Sequence, residues 1–221
     1  MIRGAIFDMD GTLLDSMCVW EQLSQRYLNK FGIHITRMDY AALEARTQLE
    51  GAQYFCQRYP EITETPEQVV AGLDSLICSR YEALAKPRAG VMAFLDALKA
   101  HGVRMAVATL TDRKHAEKAL RDRDMLDYFE FLLTIEDVGV SKRDPLIYHL
   151  SAQRLGLPPA QCLVFEDAPY AGETAKNAGF QVCGLAEPWY AADEAQLRAA
   201  SNFFIEHSFS EVLPVILHEI G

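Results

Sequence analysis

Positive charge is scarce in this chain of 221 residues: 21 Lys and Arg stand against 31 Asp and Glu, a net charge of −10 at neutral pH. No stretch gathers the basic residues into a face for nucleic acid or an anionic membrane, so neither is expected as a partner. Apolar runs long enough to cross a bilayer are also lacking. Cysteine is limited to Cys18, Cys56, Cys78, Cys162 and Cys183, an odd number, widely spaced, with no Cys-x-x-Cys. That excludes a disulfide framework and a zinc site and suggests reduced thiols in the cytoplasm. The six histidines are scattered and form no ligand cluster. No leader peptide is expected, because apolar strand sequence begins almost at the first residue. Half the residues are hydrophobic, so the chain reads as an ordinary globular protein, either one large domain or a core with an insert.

What the chain does have is an apolar run, Gly4-Ala5-Ile6-Phe7, followed at once by Asp8-Met9-Asp10-Gly11-Thr12-Leu13-Leu14-Asp15-Ser16. A short apolar run closed by a glycine turn predicts a buried strand of a parallel sheet. Open α/β sheets bind ligands at the C-terminal ends of their strands, which is where Asp8 and Asp10 fall. Two carboxylates at the end of a hydrophobic strand are costly to bring together unless a cation or a reaction requires them. A polar turn that caps a helix is the plain alternative.

The segment resembles the first motif of the haloacid dehalogenase superfamily, and more narrowly the helical-cap phosphatases and phosphomutases of the β-phosphoglucomutase-like group. The resemblance implies an α/β fold, a doubly wound parallel sheet with an inserted all-helical cap. It makes Asp8 the phosphoryl-accepting nucleophile and Asp10 the general acid and base. The Asp10 backbone carbonyl would bind Mg²⁺.

The rest of the chain suits that fold. From 16 to 84 the pattern is helical, with Val19, Leu23, Tyr27 and Leu28 predicting a helix that stops at Phe31-Gly32. A short helix is expected over 39–46. Thr47-Gln48-Leu49-Glu50 reads as a capping box opening the next helix, and Val69, Leu73, Leu76, Ile77 and Tyr81 mark a longer one. After the crossing at 85–90, helices and strands alternate. Strands are predicted over Val103–Thr109, Phe129–Thr134, Cys162–Phe165, Gln181–Leu185 and Phe203–Ile205, and a second capping box at Ser208 to Glu211. Thr111 or Asp112 is expected to cap the helix after Thr109, and Pro145 to occupy the first position of another, behind an Asp144 cap. Such alternation predicts a parallel sheet. The expected division is a core of residues 1–15 and 85–221 around a helical cap of residues 16–84.

Three later segments match the remaining motifs of the family. Thr109, at a strand end, would bind a phosphoryl oxygen with its hydroxyl, aided by the Leu110 N–H; Thr111 is the alternative. Lys142 would bridge nucleophile and phosphate as a point charge. It is followed by Arg143 where relatives usually have proline, and Arg143 suits either phosphate binding or a plain surface position. Glu166-Asp167 ends another strand with hard oxygen donors of the kind Mg²⁺ prefers. Asp167 is expected to bind the ion directly, and Glu166 directly or through water.

The implied activity is Mg²⁺-dependent hydrolysis of a small phosphate monoester, a sugar phosphate or similar metabolite, through an aspartyl-phosphate. Arg46 is a candidate for a second anionic group of the substrate. A sugar-phosphate mutase is the nearest alternative, weakened because Trp20 falls where related mutases carry a gating histidine; Trp20 equally suits packing of the insert. Lys30 is the sole insert lysine, placed poorly for the Schiff base of phosphonate hydrolysis. A non-catalytic phosphometabolite-binding domain is a further alternative. A monomer is expected.

Overall fold

The computed structural model describes residues 1–36, 38, 39, 42 and 48–220. They form two compact units, Met1–Met17 with Lys86–Gly221, and Cys18–Ala85. No helix among the described residues is long and apolar enough to cross a membrane.

The first unit carries strands β1 (Gly4–Phe7), β2 (Leu14–Asp15), β3 (Lys86–Pro87), β4 (Arg104–Ala108), β5 (Leu132–Leu133), β6 (Cys162–Glu166), β7 (Gln181–Leu185) and β8 (Phe203–Ile205). Six of them make one sheet in the order β5-β4-β1-β6-β7-β8, all paired in parallel. β2 and β3 form a separate antiparallel pair. β1 therefore lies inside the sheet, buried along its length, and needs apolar side chains toward both faces. Ile6 joins Ala106, Val164 and Val182 in one core layer, closed by Tyr148, Leu155 and Phe180. Phe7 points the other way and stacks on Phe165 at 4.3 Å, with Phe94 edge-on to both. Phe94 comes from the helix Val91–Ala100, which also buries Val91, Leu95 and Leu98 at the spacing of one helical face.

The register fixes where the chemistry emerges. Phe7 is level with Val107 of β4 and Phe165 of β6. Residues 8–12 thus leave the sheet between Thr109 on one side and Glu166-Asp167 on the other.

Among its described residues the second unit has helices and no strand. The single helix expected through Val19 and Leu28 is two, Met17–Trp20 and Leu23–Leu28, because Gln22 takes a left-handed backbone. Helices Gln48–Arg58 and Pro66–Leu84 follow. The long one opens on a capping box, Thr65 with Gln68, which the sequence reading did not anticipate. Tyr27, Leu28, Ile33, Phe55, Ile62 and Val69 form this unit's core. Trp20 lies edge-on to Tyr81 at 6.0 Å, and Lys30 is paired with Glu64. The Thr47 box and most of the expected helix over 39–46 lie outside the described residues.

Three expectations in the first unit need correction. The strand expected over Phe129–Thr134 is regular only at β5: a 3₁₀ turn occupies Leu126–Tyr128, and Glu130 and Phe131 each make a single backbone hydrogen bond, to Met105 and Val107. At the other end the Thr134 N–H and hydroxyl both donate to Asp137, committing that residue to the next helix start. Pro145 sits at the N-cap rather than the first helical position; the helix is Leu146–Arg154, and Asp144 accepts from the Leu146 N–H at 2.9 Å. Asp112 holds the N-cap position of helix Arg113–Arg121 without a side-chain cap bond, while the Thr111 side chain is engaged with Asp10.

Candidate active site

Asp8, Lys142, Glu166 and Asp167 come together at the ends of β1 and β6 although more than 130 residues separate the first two. All four are buried. The Lys142 ammonium donates to Asp8 Oδ1 and, at 2.6 Å, to Glu166 Oε1. The same Glu166 oxygen accepts from the Tyr148 hydroxyl at 2.7 Å. Asp167 Oδ1 accepts from the Thr12 hydroxyl at 3.0 Å. The turn that makes this possible is tight: Gly11 has φ +83°, and a Cβ there would stand 2.2 Å from Asp167 Oδ2.

Asp10 is held differently. Its two oxygens accept from Ser16 Oγ at 2.6 Å and Thr111 Oγ1 at 2.7 Å. Thr109 is buried just past β4. Its oxygen accepts from the Thr111 N–H at 3.1 Å, which leaves the hydroxyl proton to be donated elsewhere. Leu110 follows in the same loop. The guanidinium of Arg143 stacks on the Tyr170 ring at 4.6 Å. Arg46 lies outside the described residues.

The electrostatics show carboxylates short of positive charge. Burial pushes the Asp8 carboxyl up to about 7; Lys142 opposes this, and the neighbouring Glu166 charge adds to it. Burial likewise drives Asp167 well above its ordinary value, reinforced by Asp8 and Glu166. Burial works against the charge on Lys142, but Asp8 and Glu166 outweigh it and keep the ammonium above its usual range. The Tyr148 phenol is also held well above its ordinary value, first by burial and then by Glu166. One oxygen from each of Asp8, Glu166 and Asp167 lies within 4.8 Å of the others. Hard oxygen donors, buried and mutually repelling, fit a small divalent cation such as Mg²⁺.

Four contributors escaped the sequence reading or entered it without a role of their own. Ser16 and Thr111 are ordinary polar residues until the fold aims both at Asp10. Tyr148 sits where the family has a tyrosine after Lys142, with no role of its own expected. Arg88 reads as part of a hinge, yet its Nε and Nη2 both donate to the Gly11 carbonyl, at 3.0 and 2.6 Å, and Nη2 also reaches Glu187. It thereby pins the turn that follows Asp10.

Residues 2–179 match the family description haloacid dehalogenase-like hydrolase. The chain belongs to this family. Among haloacid dehalogenase-like hydrolases, it is 28% identical over 180 residues to a phosphorylated carbohydrates phosphatase of Thermotoga maritima, covering 81% of this chain and 83% of that one. It is 29% identical over 178 residues to the fructose-1-phosphate phosphatase of Escherichia coli, covering 80% of this chain and 92% of the relative. The crystal structure of β-phosphoglucomutase from Clostridium difficile shares the fold, with a TM-score of 0.77 over 100% of this chain and 97% of the other at 18% identity.

Proposed function

We propose that this hydrolase is a phosphatase that cleaves a small phosphate monoester, a sugar phosphate by class, through an aspartyl-phosphate on Asp8. One observation carries the reading: two aspartates two residues apart stand in unlike settings. Asp8 is buried against the Lys142 ammonium beside Glu166 and Asp167, whereas Asp10 rests on two hydroxyls. Unlike environments for paired carboxylates are how one site holds a nucleophile and an acid. Related phosphatases act on phosphorylated carbohydrates and fructose 1-phosphate, which supports the substrate class.

Asp8 Oδ attacks phosphorus in line, and the bond from phosphorus to the ester oxygen breaks. Asp10 gives the departing alkoxide its proton. Asp10 then takes a proton from water, whose oxygen attacks phosphorus and frees Asp8 and phosphate. Lys142, the Thr109 hydroxyl and the Leu110 N–H hold the phosphoryl oxygens. Asp8 and Asp167 would hold Mg²⁺, joined by the Asp10 carbonyl and by Glu166 through water. Bound there, the ion supplies charge neutralisation between the nucleophile and the phosphoryl group. By the family resemblance, residues 16–84 are the candidate cap that selects the substrate, and Arg46 is its candidate anion-binding residue.

Hydrolysis of an aryl phosphate with Mg²⁺ tests this. Wild type turns over, and Asp8→Asn loses at least about 10³-fold in kcat while keeping the wild-type circular dichroism spectrum. No turnover of any phosphate ester would sink the proposal, and a requirement for a sugar bisphosphate would move it to a mutase.

A further inference from the structure

Glu166 ends β6 with its side chain buried. A carboxylate oxygen has two lone pairs, and both on Oε1 are taken, by Lys142 Nζ at 2.6 Å and by the Tyr148 hydroxyl at 2.7 Å. Lys142 spends a second N–H on Asp8. An ammonium has three, so the third is left for a phosphoryl oxygen. Where that third N–H points depends on where Glu166 holds the nitrogen, and the direction of Glu166 depends on its other donor. The terminal torsion of a glutamate is soft and fixes little by itself. Tyr148 supplies the missing restraint from a rigid support. Its ring is packed in the core with Ile147, Leu155 and Phe180, on the helix Leu146–Arg154, with the Lys142 ammonium 5.9 Å from the ring centroid, and its hydroxyl enters the polar cluster.

We propose that Tyr148 is a positioning residue for phosphoryl transfer: its hydroxyl fixes Glu166 so that the Lys142 ammonium is held on Asp8 with one N–H reserved for the transferring group. The role rests on the reading of Asp8 as nucleophile. It also assigns Glu166 mainly to orienting Lys142, since one of its two oxygens is saturated by protein donors. The competing view is that Tyr148 only fills the core, in which case its ring matters and its hydroxyl does not.

Tyr148→Phe keeps the ring and removes the hydroxyl. The expected result is a ten- to hundredfold fall in kcat on an aryl phosphate with Mg²⁺. Affinity for vanadate, whose trigonal geometry imitates the transferring group, falls at least tenfold, while affinity for inorganic phosphate changes less than threefold. A loss of folding would lower both anions' affinities together. In a cycle with Glu166→Gln, adding Tyr148→Phe costs less than twofold, because the restraint acts through Glu166. Turnover and vanadate affinity within twofold of wild type in Tyr148→Phe, or full additivity in the cycle, would overturn the proposal. Vanadate binding is read by calorimetry and needs no turnover. A wild type that hydrolyses nothing would therefore defeat the phosphatase reading, while the vanadate comparison still decides the role of Tyr148, equal affinity counting against it.

Discussion

Gly11 is the residue with least freedom in the site. Its φ of +83° is a conformation that side chains rarely adopt. A methyl group there would also press on the Asp167 carboxylate, which is fixed by Thr12. Gly11→Ala must therefore shift Asp167 or distort the turn. The expected outcome is a fall of at least about 10²-fold in kcat/KM with a stability loss of about 1–3 kcal/mol, the usual cost of such strain. Steady-state kinetics and thermal melts measure both. Activity and melting temperature equal to wild type would mean that the turn tolerates the methyl group and that Asp167 has room to move. Arg88 reinforces the same turn from the other side, its guanidinium fork closing on the Gly11 carbonyl. A lysine there could not reproduce a fork.

Among elements, the helical unit is organised around Asp39. This buried carboxylate accepts from the Thr36 N–H and hydroxyl and from the hydroxyls of Tyr54 and Tyr59, each at 2.7 Å. Burial by itself would raise its pKa, but the donors from Thr36, Tyr54 and Tyr59 outweigh it and hold the carboxyl well below the ordinary range. A carboxyl held lower in the folded than in the unfolded chain stabilises the fold above about pH 4, and that contribution fades as the pH falls. Acid titration followed by circular dichroism should thus show helix lost below about pH 4, with a shallower pH dependence in Asp39→Asn. Asp39→Ala removes the shared acceptor and should cost about 3 kcal/mol in denaturant unfolding. A loss under about 0.5 kcal/mol, the range of an ordinary surface substitution, would count against this account. The long helix Pro66–Leu84 has its own local support, since proline in its first turn and the Thr65–Gln68 box satisfy its exposed N–H groups.

For the whole molecule the dominant fact is an acidic chain with its most crowded carboxylates at the sheet's C-terminal edge. Without a cation, Asp8 is raised to about 7 from an ordinary carboxylate value. A raised group stabilises the fold fully below its unfolded pKa and loses that contribution as the pH rises through the folded value. Metal-free protein should therefore lose stability between about pH 4 and pH 7, and Asp8→Asn should remove most of that slope. Adding Mg²⁺ at pH 7.5 should raise the melting temperature of wild type by mass action and that of Asp8→Asn much less. Melting curves in chelator and in Mg²⁺, taken across that range, test both points. A wild type indifferent to the ion would argue that Asp8, Glu166 and Asp167 do not hold a divalent cation.

The parallel sheet was legible from residue type alone, because the sequence has to make buried strands apolar on both faces and Gly4–Phe7, Arg104–Ala108 and Cys162–Glu166 are nearly so. The sequence also marked Asp8, Asp10, Glu166 and Asp167 as candidates, since charged residues at the ends of such strands are costly without a purpose, and Lys142 through the resemblance of its segment to the family's third motif. Element ends were less legible. Gln22 breaks a helix through its left-handed backbone, and the 3₁₀ turn at Leu126–Tyr128 shortens the strand to Leu132–Leu133. Which donor serves which acceptor was not legible before the chain folded. Thr111 goes to Asp10 and leaves Thr109 its proton; Tyr148, locally only part of the motif around Lys142, turns its hydroxyl to Glu166; Arg88 reaches back 77 residues to Gly11. The reason is physical. Apolar burial depends on residue type and spacing, which the chain carries locally, whereas a hydrogen bond depends on direction over about 3 Å. That precision exists only once β1, β4 and β6 have brought distant segments side by side.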